Sequence, residues 1–304
     1  MVAIDSFDAV RHSLRPRVFG DATVALDQLE LELNGQETGL EAVRVLAPGL
    51  QVGVVVDDGS SEVRVSEARC RDWGVSFDEV LPIAIGNAMA RRPVVEPVAN
   101  SVVLLRGPQF DPCLWLVDGL VGSLGVNGDL VMVTPVRGFT LVGRDDSATL
   151  TVFAGVIVDM LEAGQWLESV TACRLDAGRW VAVDWGSSGV AERLTRPLTR
   201  LFSDQLYGRQ KPLLEALHSR QGDDVFVASY KVMQGQDGQV FSMASWGEGV
   251  ATLLPVVDVV NLVKQDFSQR SVPWEQLISV TNGSVENCGL LPERFKAVVF
   301  PSGL

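Results

Sequence analysis

The chain is poor in the residues that build the commonest catalytic and metal centres. It has two histidines, His12 and His218, and four cysteines, Cys70, Cys113, Cys173 and Cys288, in 304 residues. Neither histidine stands near the other or near a cysteine in sequence, and no CxxC occurs, so a zinc site has little to build from. The cysteines read as reduced, mostly buried thiols, because a chain of this length and apolar content needs no disulfide framework. A serine or cysteine nucleophile would have His218 as its base, yet no GxSxG accompanies it. Gly122-Ser-Leu-Gly125 and Gly186-Ser-Ser-Gly189 have the wrong spacing. No catalytic residue, cofactor or metal site is assigned.

An apolar run long enough to span a bilayer is also missing. The most apolar stretch, ATLTVFAGVIVDML from Ala148 to Leu161, falls short of the roughly 20 residues a spanning helix needs and contains Asp159. A buried helix is expected there. The opening MVAIDSFDAVRHSL places Asp5 and Asp8 where a secretory signal would be uninterruptedly apolar, so a cytoplasmic chain without membrane association is expected. Charged residues are 21% of the chain and of both signs, interspersed, and the net charge is −13. That balance disfavours nucleic acid and suits a protein partner, while a homo-oligomer stays open. With 47% hydrophobic residues the chain has ample material for packed cores.

What is present is mostly architectural. Gly119, Gly122, Gly125 and Gly128 recur every third residue in DGLVGSLGVNGDLVMVTP. The series lacks GxGxxG and a terminal GK[ST], has no lysine nearby and leads into a strand, so Asn127-Gly128 reads as a turn between strands. The pairs Asp57/Asp58, Asp145/Asp146 and Asp223/Asp224 are paired carboxylates in the abstract. Each falls at a predicted turn without the spacing of a calcium loop, and solvated turn residues are expected. The seven tryptophans adjoin apolar runs and read as core anchors.

Periodicity predicts the elements. Gln28–Asn34 (QLELELN) alternates as a half-buried strand, and Val52–Val65 reads as a hairpin reversing at Asp57-Asp58-Gly59. Ser76-Phe-Asp-Glu79 has the form of a capping box, opening a helix over about Phe77–Arg91 that Pro93 and Pro97 end. SVVLLRG, CLWLV, DLVMVTP and FTLVG read as strands, followed by the apolar helix and by the strands WLESVTACRLD and RWVAVDW. From Ser188 to Arg220 the pattern is helical, with Pro197 kinking a first helix and Gly208 and Pro212 dividing it from a second. Strands then resume at DVFVASYKV and VFSMASW. Without regular strand–helix alternation this order predicts an α+β fold with mixed or antiparallel sheets.

Residues 1–187 are expected as an N-terminal lobe, and 188–304 as a helical connector with a second lobe that is a divergent repeat of 70–184. Trp115 in CLWLVDG matches Trp246 in MASWGEG. The run closed by Pro135 matches that closed by Pro255, and a helix plus β-like ending follows each. DLVMVTPVRGFTLVG, its following helix and the pair WLESVTACRLDAGRWVAVD also resemble the YtpQ-like family of uncharacterised cytosolic bacterial proteins, over roughly Arg71–Asp184. The resemblance implies a compact α+β bacterial protein and carries no substrate, cofactor or catalytic residue. That family commonly has an acid after the proline, where this chain has Arg137-Gly138.

The sharpest surface feature is a stripe of Arg193, Arg196 and Arg200 opposite the apolar face formed by Val190, Leu194, Leu198, Leu201 and Phe202. Residues 188–220 hold six Lys/Arg against three Asp/Glu, so positive charge is concentrated there. The stripe is assigned as partner-binding, since guanidinium groups pair carboxylates bidentately. The reading favours a non-catalytic protein-binding protein: an immunity-like inhibitor, an assembly chaperone or a scaffold. A carboxylate- or metal-dependent enzyme with a site between the lobes, or a small-ligand sensor, is the alternative.

Overall fold

The computed structural model describes residues 6–35, 42–57, 59, 61–90, 94–99, 102–107, 111–117, 119–126, 128–281 and 283–301. Asp58, Pro93, Asp118 and Asn127, which figure in the expectations above, lie outside them. The chain forms two compact units. One comprises Met1–Asp21 with Thr38–Ala191, the other Ala22–Glu37 with Glu192–Leu304. The expected boundary after residue 187 thus moves to Ala191, and an N-terminal segment joins the second unit.

That segment is α2 (Asp21–Leu33), which follows α1 (Phe7–Val10) and β1 (Leu14–Gly20). The strand expected at Gln28–Asn34 is therefore helix. Its alternating Leu and Glu are both good helix formers and none is β-branched, so a short period-2 pattern carries no strand preference. Leu29 packs with Leu214, Val227 and Leu253 of the second unit. Arg209 pairs with Asp27 and Glu30 on the same helix.

In the first unit β1 runs antiparallel to β3 (Leu50–Asp57), whose other edge takes β2 (Val43–Ala47) and then β4 (Glu62–Arg64). The expected hairpin is there. Gly59 adopts φ 84° and its N–H donates to Asp57 Oδ1 at 2.9 Å. Two capped helices follow, α3 (Glu67–Trp73) and α4 (Phe77–Met89). On α4 the Glu79 carboxylate accepts from the Ser76 N–H and hydroxyl, each at 2.8 Å, which holds its carboxyl below the usual range. On α3 Ser66 Oγ accepts the Arg69 N–H at 3.1 Å. Ser66→Ala is expected to lower the unfolding free energy by about 1 kcal/mol, with Ser66→Asp restoring most of it in a urea titration.

A second sheet of six strands is antiparallel throughout, in the order β10-β9-β7-β8-β6-β5. Its strands are β5 (Val94–Ala99), β6 (Val102–Arg106), β7 (Leu130–Val136), β8 (Phe139–Arg144), β9 (Cys173–Asp176) and β10 (Arg179–Ala182). Only the end of WLESVTACRLD is strand, and Pro97 lies inside β5. The predicted strand CLWLV is instead part of α5 (Asp111–Leu116). Cys113, Leu114 and Trp115 are all buried, and three consecutive buried side chains have no period by which sequence alone separates strand from helix. Trp115 Nε1 donates to Thr134 Oγ1 at 3.2 Å and its carbonyl accepts from Trp180 Nε1 at 2.9 Å. The expected apolar helix is α6 (Ser147–Glu162), which buries Leu150, Phe153, Ala154, Ile157 and Val158. In the glycine run, Gly119, Gly125 and Gly128 take positive φ and Gly122 sits in a 3-10 turn over Val121–Leu124, so these glycines bend backbone.

The second unit is built on α7 (Glu192–Gln221), one helix of 30 residues that keeps Pro197 and Pro212 inside it. The expected division into two helices fails because of burial. Leu198, Leu206, Leu214 and Leu217 lie on its buried face at about 1.5–3 kcal/mol each, against about 3 kcal/mol for each interior proline. Two four-stranded sheets pack here. One is β11-β14-β18-β17, from β11 (Phe226–Val227), β14 (Thr252–Pro255), β17 (Val285–Asn287) and β18 (Arg294–Ala297). The other is β12-β13-β15-β16, from β12 (Lys231–Gln234), β13 (Val240–Gly247), β15 (Val259–Val263) and β16 (Gln269–Pro273), with α8 (Trp274–Thr281) following. Each sheet mixes one parallel pair, β11–β14 or β13–β15, with antiparallel ones. DVFVASYKV is thus two strands in different sheets.

Strand pairing does not follow the expected duplication. β7 and β8 are neighbours in one sheet, whereas β14 and β15, aligned to them, belong to different sheets. Trp115 is on a helix and Trp246 on a strand. Both units are α+β, with an antiparallel six-stranded sheet in the first and mixed sheets in the second.

Candidate binding site

The three arginines of the α7 stripe have separate fates. Arg193 is exposed and makes no ion pair among the described residues. Arg196 Nε donates to Glu192 one turn earlier at 2.6 Å. Arg200 turns inward: it holds Asp258 with both prongs of its fork, Nε to Oδ2 at 3.0 Å and Nη2 to Oδ1. Asp258 also accepts from Ser242 N at 2.7 Å and Ser242 Oγ at 2.8 Å, while its own N–H donates to Ser242 Oγ at 2.8 Å. Burial by itself would raise this carboxyl, but Arg200 and Ser242 together hold it below its ordinary range. Arg200, half-buried, ties α7 to the β13–β15 region.

Sequence reasoning missed Arg294, a fully buried arginine on β18. Nε donates to Gln210 Oε1 at 2.6 Å, and Nη1 donates to the carbonyls of Ala228 at 2.9 Å and Leu253 at 3.0 Å. The guanidinium also lies 5.1 Å from the Tyr207 ring centre. Burial pulls its pKa down to about 10. A single arginine in RFKAVVF offers no signal of this role, because its acceptors come from α7, β14 and the β11 end.

In the first unit a half-buried charge cluster gathers on the first sheet and the β7–β8 turn. Arg17 pairs with Glu62 and, at 2.9 Å, with Glu168; Arg137 pairs with Glu62 and, at 3.2 Å, with Asp57. Arg137 is the residue standing where the YtpQ-like pattern has an acid. Asp57 is thus bound by arginine. Asp145 faces Arg174 at 3.5 Å, and Asp146 caps α6 by accepting the Thr149 N–H at 2.8 Å. Asp223 and Asp224 are exposed. Among the described residues no group of three His, Cys, Asp or Glu is placed to hold a metal ion. Cys70, Cys113 and Cys173 are buried free thiols and Cys288 is an exposed one.

An open polar concavity lies on the β15–β16 hairpin. A hollow of about 260 Å³ is lined by Leu262, Lys264, Ser268, Gln269, Arg270, Phe300 and Pro301. Leu262 lies on β15, with Lys264 just past the strand's end, and the register sets Leu262 directly across from Arg270. Phe300 stands edge-on to the buried Trp246 ring, 5.4 Å between centres, so this wall is anchored in the core. The Arg270 side chain makes no hydrogen bond or ion pair among the described residues. At the tip, Phe267 is 83% exposed and adopts φ 65°, a conformation that costs a non-glycine residue about 1–2 kcal/mol. Asp266 Oδ1 fixes the turn by accepting Ser268 N at 2.9 Å and Ser268 Oγ at 2.6 Å. The sequence signal for this site was weak: VKQDFSQR reads as an ordinary polar turn with one phenylalanine.

The two units define a class, α+β proteins with antiparallel and mixed sheets. Comparison with models of known protein families, with characterised proteins and with solved structures finds no match to this chain. Among the described residues no helix is long and apolar enough to cross a membrane.

Proposed function

We propose that the chain is a non-catalytic protein-binding protein, of the kind represented by immunity-like inhibitors, assembly chaperones and scaffolds, and that it docks its partner through the β15–β16 hairpin. The observation that carries this reading is Phe267. A large aromatic ring held out of the core at 83% exposure, on a backbone with positive φ, is held there against its own preference. Aromatic anchors of this kind dominate binding energy at protein interfaces. A reducing bacterial cytoplasm belongs to the same proposal and is supported by four free thiols. Kinship of residues 71–184 with the YtpQ-like family is also part of it, supported by the order of the β7–β8 hairpin, α6 and the β9–β10 pair.

The test is a photo-reactive phenylalanine analogue placed at Phe267 and, as control, at exposed Asp237 on the β12–β13 turn. A discrete protein adduct is expected from position 267 in the source cell and none from position 237. Equal labelling at both positions, or none at 267 in folded protein, would sink the proposal.

A further inference from the structure

We propose that the hairpin's partner is an acidic segment in extended conformation, its backbone pairing with the free edge of β16 and a Glu or Asp side chain entering the hollow between Lys264 and Arg270. This deepens the protein-binding reading and rests on it. β16 ends the order β12-β13-β15-β16, so among the described residues one edge of Gln269–Val272 has no strand beside it. An exposed edge is a template for an added strand, and Pro273, lacking an N–H, limits it at the far end. Cation chemistry gives the edge its selectivity. Lys264 and Arg270 line the hollow with no carboxylate among its lining residues, although the chain carries −13 overall. Of the other arginines of this unit, Arg196, Arg200 and Arg209 are bound to acids, and Arg193 is unpaired among the described residues but lies on α7, not on this hairpin. A guanidinium fork without an internal acid is matched to an incoming carboxylate.

Size argues for a side chain over a cofactor, since about 260 Å³ lies below the roughly 300–1,000 Å³ of ordinary small-molecule sites. The long-range repulsion between an acidic segment and this acidic chain is screened beyond about 8 Å at physiological salt, so the local pairs decide. A peptide is favoured over a nucleic acid because the edge offers backbone hydrogen bonds that only another strand completes.

The probe is a short fluorescent peptide of alternating valine and glutamate, compared with its glutamine counterpart by anisotropy. The glutamate peptide is expected to bind about tenfold or more tightly than the glutamine one. Lys264→Gln/Arg270→Gln, with an unchanged circular dichroism spectrum, is expected to lose that preference. Amide exchange should slow at Gln269–Val272 when the glutamate peptide is bound. Equal binding of the two peptides, no binding of either, or full binding by the double variant would overturn the inference. Competition by a short single-stranded oligonucleotide at matched charge would overturn it in favour of general polyanion binding. A partner crosslinked at Phe267 but still captured by the double variant would overturn this inference alone. A bound glutamate peptide with no Phe267 adduct in the cell would overturn only the protein-binding reading.

Discussion

Arg294→Ala is expected to destabilise the second unit by about 3–5 kcal/mol, read as a lower urea midpoint in the fluorescence of Trp246 and Trp274. Three acceptors lose their donor at once: Gln210 Oε1 and the carbonyls of Ala228 and Leu253. An unsatisfied buried acceptor costs about 1–3 kcal/mol, and the space left by a fully buried side chain adds to it. Arg294→Lys keeps the charge but presents one ammonium where the fork serves acceptors on separate elements, so it should recover only part of the loss. Gln210→Ala combined with Arg294→Ala should cost clearly less than the two single losses added, because both single variants break the same hydrogen bond. Gln210 Nε2 also holds the Pro292 carbonyl at 2.8 Å, so the single Gln210 variant is not silent. The charge itself opposes folding: with burial pulling its folded pKa down to about 10, well below the ordinary guanidinium value, the native state binds this proton less tightly than the unfolded chain. That penalty is present at neutral pH and is relieved only as pH rises above 10. An Arg294→Ala protein with an unchanged midpoint would show that Arg294 contributes nothing net.

Asp258→Ala is expected to cost about 2–3 kcal/mol, less than a fully buried ion pair because both partners keep about a quarter of their side-chain surface in water. The loss has three parts: the bidentate partner of Arg200, the acceptor for the Ser242 N–H and the acceptor for the Ser242 hydroxyl. Asp258→Asn keeps one acceptor oxygen and should fall between wild type and alanine. The pH dependence separates a charged role from a packing one. Since the folded carboxyl titrates below its ordinary value of 3.8, its contribution is present in full above that value and is lost as pH falls through the lower folded one. Wild type should therefore lose stability in that acid window faster than Asp258→Asn, whose midpoint is flatter there. Parallel curves would assign the residue to packing alone.

These two sites mark how far the sequence is readable. The Val52–Val65 hairpin, the Glu79 capping box and the apolar helix over Ser147–Glu162 rest on neighbours in sequence, and each is where the pattern puts it. The turn role of the glycine run is equally local, since Gly119, Gly125 and Gly128 need only their own backbone angles. Short patterns without a decisive period went the other way. QLELELN became helix because its Leu and Glu are good helix formers and its alternation is too short to decide, and CLWLV because three consecutive buried side chains carry no period. The arginine stripe was legible as spacing, but the inward turn of Arg200 was not. Arg200 belongs to Asp258, 58 residues away, and nothing within α7 announces that acid.

Sequence alone determined the class of protein: an acidic, apolar-rich α+β chain whose helix caps, turns and apolar helix α6 follow from periods and propensities acting within a few residues, whereas the unbroken length of α7 does not. Tertiary structure decided which charges remain available. Arg17, Arg137, Arg200, Arg209 and Arg294 are each taken up by acceptors distant in sequence, while Lys264, Arg270 and Phe267 are left facing outward on one hairpin. The reason is physical. Electrostatic pairing and burial depend on distances through space, and these become defined only when strands and helices far apart along the chain have packed.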